Sequence, residues 1–250
     1  MRIEIGLTPT GSAVSLPLRY ANRHGLVTGA TGTGKTVTLQ HLAEEFSRSG
    51  VPVFAADVKG DLSGIAAVGN TDTLAARRAA DLNVSWSPAR YPVCLFDIFE
   101  EQGLPIRTSV HAIGAELLGT MLSLNDTQRG ALAIAFRKAE DDGEFLLNLD
   151  DLRWALNTML EMREEVCQRY GNVTASSIAA IQRNVLALES QGGERLFGEP
   201  PFAIVDFLRI EDGKGVVNLL HADNLMEAPK LYATFLLWLL TELFRTLPET

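Results

Sequence analysis

Residues 24–36, HGLVTGATGTGKT, and residues 51–57, VPVFAAD, decide the fold class of this 250-residue chain. The first stretch fits the pattern G-x-x-x-x-G-K-[ST] in full, from Gly29 to Thr36. Each residue type there has a chemical reason. Glycines at 29, 32 and 34 let the backbone turn so that successive N–H groups face inward as an anion nest. A helix starting at the same place adds its partial positive charge. Lys35 can reach the β- and γ-phosphates of a nucleotide, and the Thr36 hydroxyl can ligate magnesium. The flanks supply the context the motif requires. His24–Thr28 is a short apolar run that predicts a buried strand. Lys35–Ser49 carries Leu39, Leu42 and Phe46 at helical spacing, with Gly50 just past its end. Val51–Ala56 predicts a second strand ending at Asp57. Strand, glycine loop, helix and strand make a βαβ unit, which implies a parallel sheet covered on both faces. The expected ligand is ATP with magnesium, held by Gly29, Ala30, Thr31, Gly32, Thr33, Gly34, Lys35, Thr36 and Val37, with Thr36 on the metal.

Outward from this unit, Arg2–Leu7 and Ala13–Leu18 flank a turn and predict a small β-element. Asp72–Leu82 predicts a helix, and Pro92–Phe96 a third strand ending at Asp97. From about Ser109 to Gln191 the spacing becomes helical throughout. Leu152, Ala155, Leu156, Met159, Leu160 and Val166 keep one phase, as do Ile178, Ile181, Val185 and Leu188. Asn125-Asp126-Thr127-Gln128 supplies a helix start, and Gly143 and Gly171 supply ends. Strand character returns at Ala203–Val205 and Gly215–Leu220, and Pro229 opens an apolar helix to about Leu247. The expected organisation is a β-element and nucleotide-binding core over 1–108, an all-helical insertion over 109–200, and a return to the core over 201–250.

Composition sets limits on function. The content is 46% hydrophobic and 21% charged, ordinary for a globular protein with a real core. The apolar run from Leu231 to Phe244 falls short of the roughly 20 residues of a spanning helix, so no membrane partner is expected. Cys94 and Cys167 have no metal-ligand spacing and fit a reducing, cytoplasmic setting. The net charge of −9 gives nothing for non-specific attraction to nucleic acid.

Asp57-Val58-Lys59-Gly60 ends the second strand, where a carboxylate could approach magnesium or an attacking water. It also fits the D-x-x-G pattern of GTPases, but no N/T-K-x-D guanine-reading motif follows. Asp57 is therefore either a catalytic acid or a strand-end residue that hydrogen-bonds nearby backbone.

HGLVTGATGTGKTVTLQ followed by PVFAADVKGDLSG resembles the HerA/FtsK superfamily of motor ATPases. More narrowly, the chain is similar to bacterial HerA-helicase-like proteins of the YjgR type. LFDIFEEQGLPIRTSV, LSLNDTQRGAL and LYATFLLWLLTELFRTLPE extend the likeness over nearly the whole chain. The resemblance implies a RecA-like P-loop NTPase core of the additional-strand type, to which the parallel sheet and the all-helical insertion read from the spacing belong. It also implies a homo-oligomer, often a hexameric ring, and translocation of double-stranded DNA. By the same resemblance Lys35 is the phosphate-loop lysine and Asp57 the strand-end acid.

The family's second motif, four apolar residues followed by Asp-Glu, has no counterpart here. Apolar runs end in aspartate at Asp57, Asp97 and Asp206, and none is followed by glutamate. Asp97, near Glu100 and Glu101, is the best internal candidate. In YjgR-type proteins this motif follows the helix resembling Leu231–Leu247. The expectation is thus an N-terminal half that binds ATP and hydrolyses it poorly. His24, His41, His111 and His221 show no ligand spacing. Arg77-Arg78 and Arg137-Lys138 read as solvated helix faces rather than a nucleic-acid channel. Among the tryptophans, Trp154 and Trp238 read as core, and Trp86 has no basic interleaving. Two alternatives to the motor remain: a phosphotransferase, for which no arginine-rich lid follows the loop, and a nucleotide-dependent switch or scaffold without DNA activity.

Overall fold

A computed structural model describes residues 2–71, 73–85 and 87–247; Trp86, the Asp72 start of the predicted second helix, and 248–250 lie outside them. The chain divides into two compact units, Met1–Phe96 with Val205–Asp223, and Asp97–Ile204 with Asn224–Thr250.

The first unit begins with the antiparallel pair β1 (Arg2–Leu7) and β2 (Ala13–Pro17). Helix α1 (Lys35–Arg48) and strand β3 (Val53–Asp57) follow, then α2 (Leu74–Asp81) and β4 (Val93–Phe96). After the helical unit the chain returns through the two-residue strands β5 (Ile210–Glu211) and β6 (Lys214–Gly215) to β7 (Val217–His221). The order β3-β7-β4 is a parallel three-stranded sheet with β7 at its centre. Strand β7 is fully buried along Val217–Leu220 and apolar except for Asn218, whose Nδ2 donates to Val53 O at 3.0 Å and Phe207 O at 2.9 Å. One face of the sheet packs Val53, Ala55 and Val93 against Ala43, Leu62, Ile65 and Tyr91. On the other, Phe207 lies 4.9 Å from Phe54 and 5.1 Å from Phe96, ring to ring.

Four local expectations change, one of them at Trp154, expected in the core and 53% exposed. Residues 24–30 form no strand, and Leu26 is 88% exposed. Only Leu26 and Val27 bring sizeable apolar side chains to this stretch, and no described strand pairs with it. Helix α1 presents Ala43 and Ser47 inward, not Leu39, which is exposed. Small side chains let the helix lie close: Ser47 Oγ donates to Gly215 O at 2.6 Å. Ala203–Val205 is not a strand, because Ile204–Phe207 forms a 3-10 turn.

The second unit is helical: α3 (Val110–Met121), α4 (Asp126–Asp142), α5 (Leu149–Glu161), α6 (Arg163–Tyr170), α7 (Ala175–Glu189), the short α8 (Gly193–Leu196) and α9 (Pro229–Thr246). Capping boxes start α4 (Asn125 with Gln128) and α5 (Asn148 with Asp151). Gly143 closes α4 in the left-handed conformation. Leu152, Leu156 and Met159 of α5 and Ile178, Ile181 and Val185 of α7 are fully buried. Leu160 is exposed, one step off the stripe. Helix α9 packs on α3 within this unit. No described helix is long and apolar enough to cross a membrane.

Candidate functional site

The glycine-rich loop opens α1. Gly32 (φ +79°) and Gly34 (φ +93°) both occupy the left-handed region, where side chains strain the backbone. Nothing lies within 4 Å of a Cβ built at either. At Gly29 a Cβ would lie 2.5 Å from Thr33 Oγ1, so the loop's own threonine requires that glycine. Thr33 Oγ1 donates to Ala30 O at 2.7 Å. Lys35 Nζ donates to Gly29 O at 2.8 Å and to Ala30 O at 2.7 Å, which ties the ammonium to its own loop and leaves its third proton over. Residues 29–33 are exposed, Gly34, Lys35 and Thr36 are half-buried, and Val37 is exposed.

The start of α1 differs from those of α4 and α5. Its N-cap Gly34 provides no side-chain bond, and its first turn holds no acid. The first N–H groups of a helix lack intrahelical partners, and here no side chain of the cap takes them. An anion suits that position and a carboxylate does not compete for it. The glycine cradle, the uncapped helix start and Lys35 together fit a phosphate group, and the Thr36 hydroxyl suits an accompanying magnesium.

The sheet sets where this cradle sits. Helix α1 is tied near its end to Gly215, which precedes β7, through Ser47. Nearer its start, Gln40 Nε2 donates to Asp61 O at 2.6 Å, in the loop after β3. The helix therefore runs opposite to the strands, and its N-terminus lies toward their carboxyl ends. Ligands of open parallel sheets bind at that edge.

Asp57 ends β3 at the same edge and is 7% exposed. Its carboxylate accepts from Leu62 N at 2.8 Å and Lys59 N at 3.3 Å. Beside it in register is His221, at the end of β7, whose Nε2 lies 2.6 Å from Asp223 Oδ1. Sequence reasoning weighed His221 only for ligand spacing; the signal for its place was its position at the end of the strand-like stretch Val216–Leu220. Asp97 is fully buried, and its two oxygens accept from Phe99 N (2.8 Å), Glu101 N (3.0 Å) and Gln102 N (3.0 Å). It folds its own turn. Asp206 is exposed on the 3-10 turn. His24 is exposed as well. Arg137 pairs with Glu140 and Asp141, and Lys138 with Asp142, so this basic pair is neutralised along its own helix. The described residues hold no cluster of three metal-ligating side chains.

A family model described as helicase HerA-like C-terminal matches residues 3–250 of the chain. No curated protein matches it.

Proposed function

The chain belongs to the HerA-like family, and we propose that it is the ATP-binding part of a motor ATPase with a RecA-like, additional-strand core. The observation that carries this reading is the start of α1: a Gly34 cap with no side-chain bond, no acid in the first turn, and Lys35 and Thr36 half-buried beside it. Residues Gly29 to Val37 hold the phosphates, with Lys35 moving from its loop carbonyls to the β- and γ-oxygens and Thr36 on the magnesium. Bound magnesium would neutralise phosphate charge and orient the terminal phosphoryl group.

Hydrolysis is slow in this reading. The sequence contains no Asp-Glu dipeptide, and Asp57 already accepts two backbone N–H groups. Asp57 serves first to shape the 57–62 turn and only second as a carboxylate toward magnesium. A ring-shaped homo-oligomer acting on double-stranded DNA is the motor form of the proposal. A switch or scaffold without DNA activity is the second form, favoured by the neutralised Arg137-Lys138 pair.

Calorimetric titration with ATP, with and without magnesium, tests the binding step. Magnesium-dependent binding that falls at least about tenfold in Lys35→Ala is the expected result, the loss of one charge-assisted contact. Equal binding by the variant would remove the site from Lys35. Turnover measured with and without duplex DNA separates motor from switch.

A further inference from the structure

The chain's 31 acidic and 22 basic side chains are shared unevenly. The strand-bearing unit holds 11 of each and is neutral. The helical unit, 97–204 with 224–250, holds 20 acids against 11 bases and so carries the whole net charge of −9. Within it, residues 137–169 contain nine acids and five bases. The α4 end, α5 and α6 enclose a groove of about 230 Å³, lined among others by Lys138, Asp142, Glu144, Trp154, Met162 and Glu165.

Trp154 is the expected core tryptophan that the fold leaves outside, 53% exposed, with Met162 40% exposed beside the same groove. The groove's cations are already engaged. Lys138 pairs with Asp142, and Arg169 lies 3.1 Å from Asp141, which also accepts from Tyr170 Oη at 2.9 Å. Glu144 and Glu165 have no ion-pair partner among the described residues. An uncovered indole beside two unneutralised carboxylates suits one chemistry: a guanidinium or ammonium on a flexible stem, its cation over the ring and its donors on the carboxylates.

We propose that this groove docks a basic, arginine- or lysine-bearing segment of a partner protein. A nucleic acid is repelled by the same charge. A second copy of this chain is the poorer complement, since one of its units is neutral overall and the other strongly acidic. The proposal does not depend on nucleotide binding at Gly29–Thr36, which lies in the other unit.

The test uses the whole chain and a short peptide of alternating Arg and Ala, titrated at physiological ionic strength, where diffuse surface attraction is screened. Affinity is read by calorimetry and by tryptophan fluorescence. Trp154→Ala and the pair Glu144→Gln/Glu165→Gln are each expected to weaken binding about tenfold. The pair Glu116→Gln/Glu199→Gln, the same charge change outside the groove, is expected to stay within about twofold. Trp154→Phe, which keeps an aromatic face, is expected to fall between wild type and alanine. Equal losses in both glutamine pairs would show diffuse charge and overturn the groove. So would unchanged binding in Trp154→Ala, no binding of the peptide, or duplex DNA bound with the same sensitivity to these variants.

Discussion

Gly29→Ala isolates the loop geometry on which the proposed nucleotide binding rests. The added Cβ would lie 2.5 Å from Thr33 Oγ1 and 3.5 Å from Thr33 Cβ. The first distance is about 1 Å inside ordinary contact. Thr33 is β-branched and stiff at χ1, so it escapes only by leaving its rotamer. That costs about 0.5–1.5 kcal/mol. It also breaks the 2.7 Å bond to Ala30 O, a further 0.5–1.5 kcal/mol or so. The loop conformation shown here thus becomes roughly 1–3 kcal/mol harder to reach, which weakens nucleotide binding about 5- to 150-fold. Without nucleotide the exposed loop is free to settle elsewhere, so the thermal midpoint should fall by less than the roughly 2–12 °C that the full cost would bring. Thr33→Ala removes the obstructing oxygen at the cost of one exposed hydrogen bond. In the double variant the clash is gone, so affinity recovers toward that of Thr33→Ala, with a coupling of about 1 kcal/mol or more. Calorimetric titration of ATP into the four proteins measures the cycle. Wild-type affinity in Gly29→Ala, or a double variant as weak as the sum of the singles, would refute the reasoning.

Gly215→Ala places a Cβ 2.2 Å from the Val51 carbonyl, backbone against backbone, and should cost about 3 kcal/mol or more. The thermal midpoint should fall by roughly 6–12 °C, and a fall below 2 °C would deny the close approach of β6 to the 51–52 backbone. Burial raises the Glu44 pKa above its ordinary 4.5, opposed by His41 and Arg48. A carboxyl raised on folding holds its proton more tightly when folded, so it favours the fold below pH 4.5 and loses that contribution as pH rises past its folded value. Glu44→Gln should therefore be more stable than wild type at neutral pH, with the gap closing in melts taken toward pH 4.5.

How much of this could be read beforehand follows from how local each signal is. The short apolar runs at Val51–Ala56 and Pro92–Phe96, and the stretch Gly215–Leu220 that only Asn218 interrupts, become β3, β4 and β7, as buried parallel strands do. The helices of the second unit were legible from spacing and caps; the Asn125–Gln128 box forms as the sequence spells it. Pairing is not local. His24–Thr28 has the outline of a strand, but a strand exists only beside another, and no described strand lies beside it. Facing is not local either. Leu39 keeps helical phase in α1, yet the near approach to Gly215 selects Ala43 and Ser47 for the interior. Trp154 misled for the same reason: it lies one residue before the buried Ala155 and Leu156, and 100° of rotation puts it in the groove.

Binding a triphosphate and cleaving it ask different things of the same edge. Binding asks for backbone N–H groups and a cation, which in the proposed site lie within one short stretch of sequence, Gly29–Thr36. Cleavage asks for a carboxylate with a free lone pair toward a water, which depends on what the acid already holds. Asp97 was the best internal candidate on sequence, yet it is fully buried and three N–H groups take three of its roughly four acceptor sites. Asp57 is at the right edge, but its oxygens fasten Lys59 and Leu62. An acid that holds a turn gives it up only at the cost of leaving buried N–H groups unpaired, about 1–3 kcal/mol each. Asp57→Asn keeps one acceptor and so should spare the fold more than Asp57→Ala does, by about that amount in a denaturant melt. If the two substitutions destabilise equally, Asp57 does not hold the turn, and its carboxylate is free for the chemistry of the phosphate.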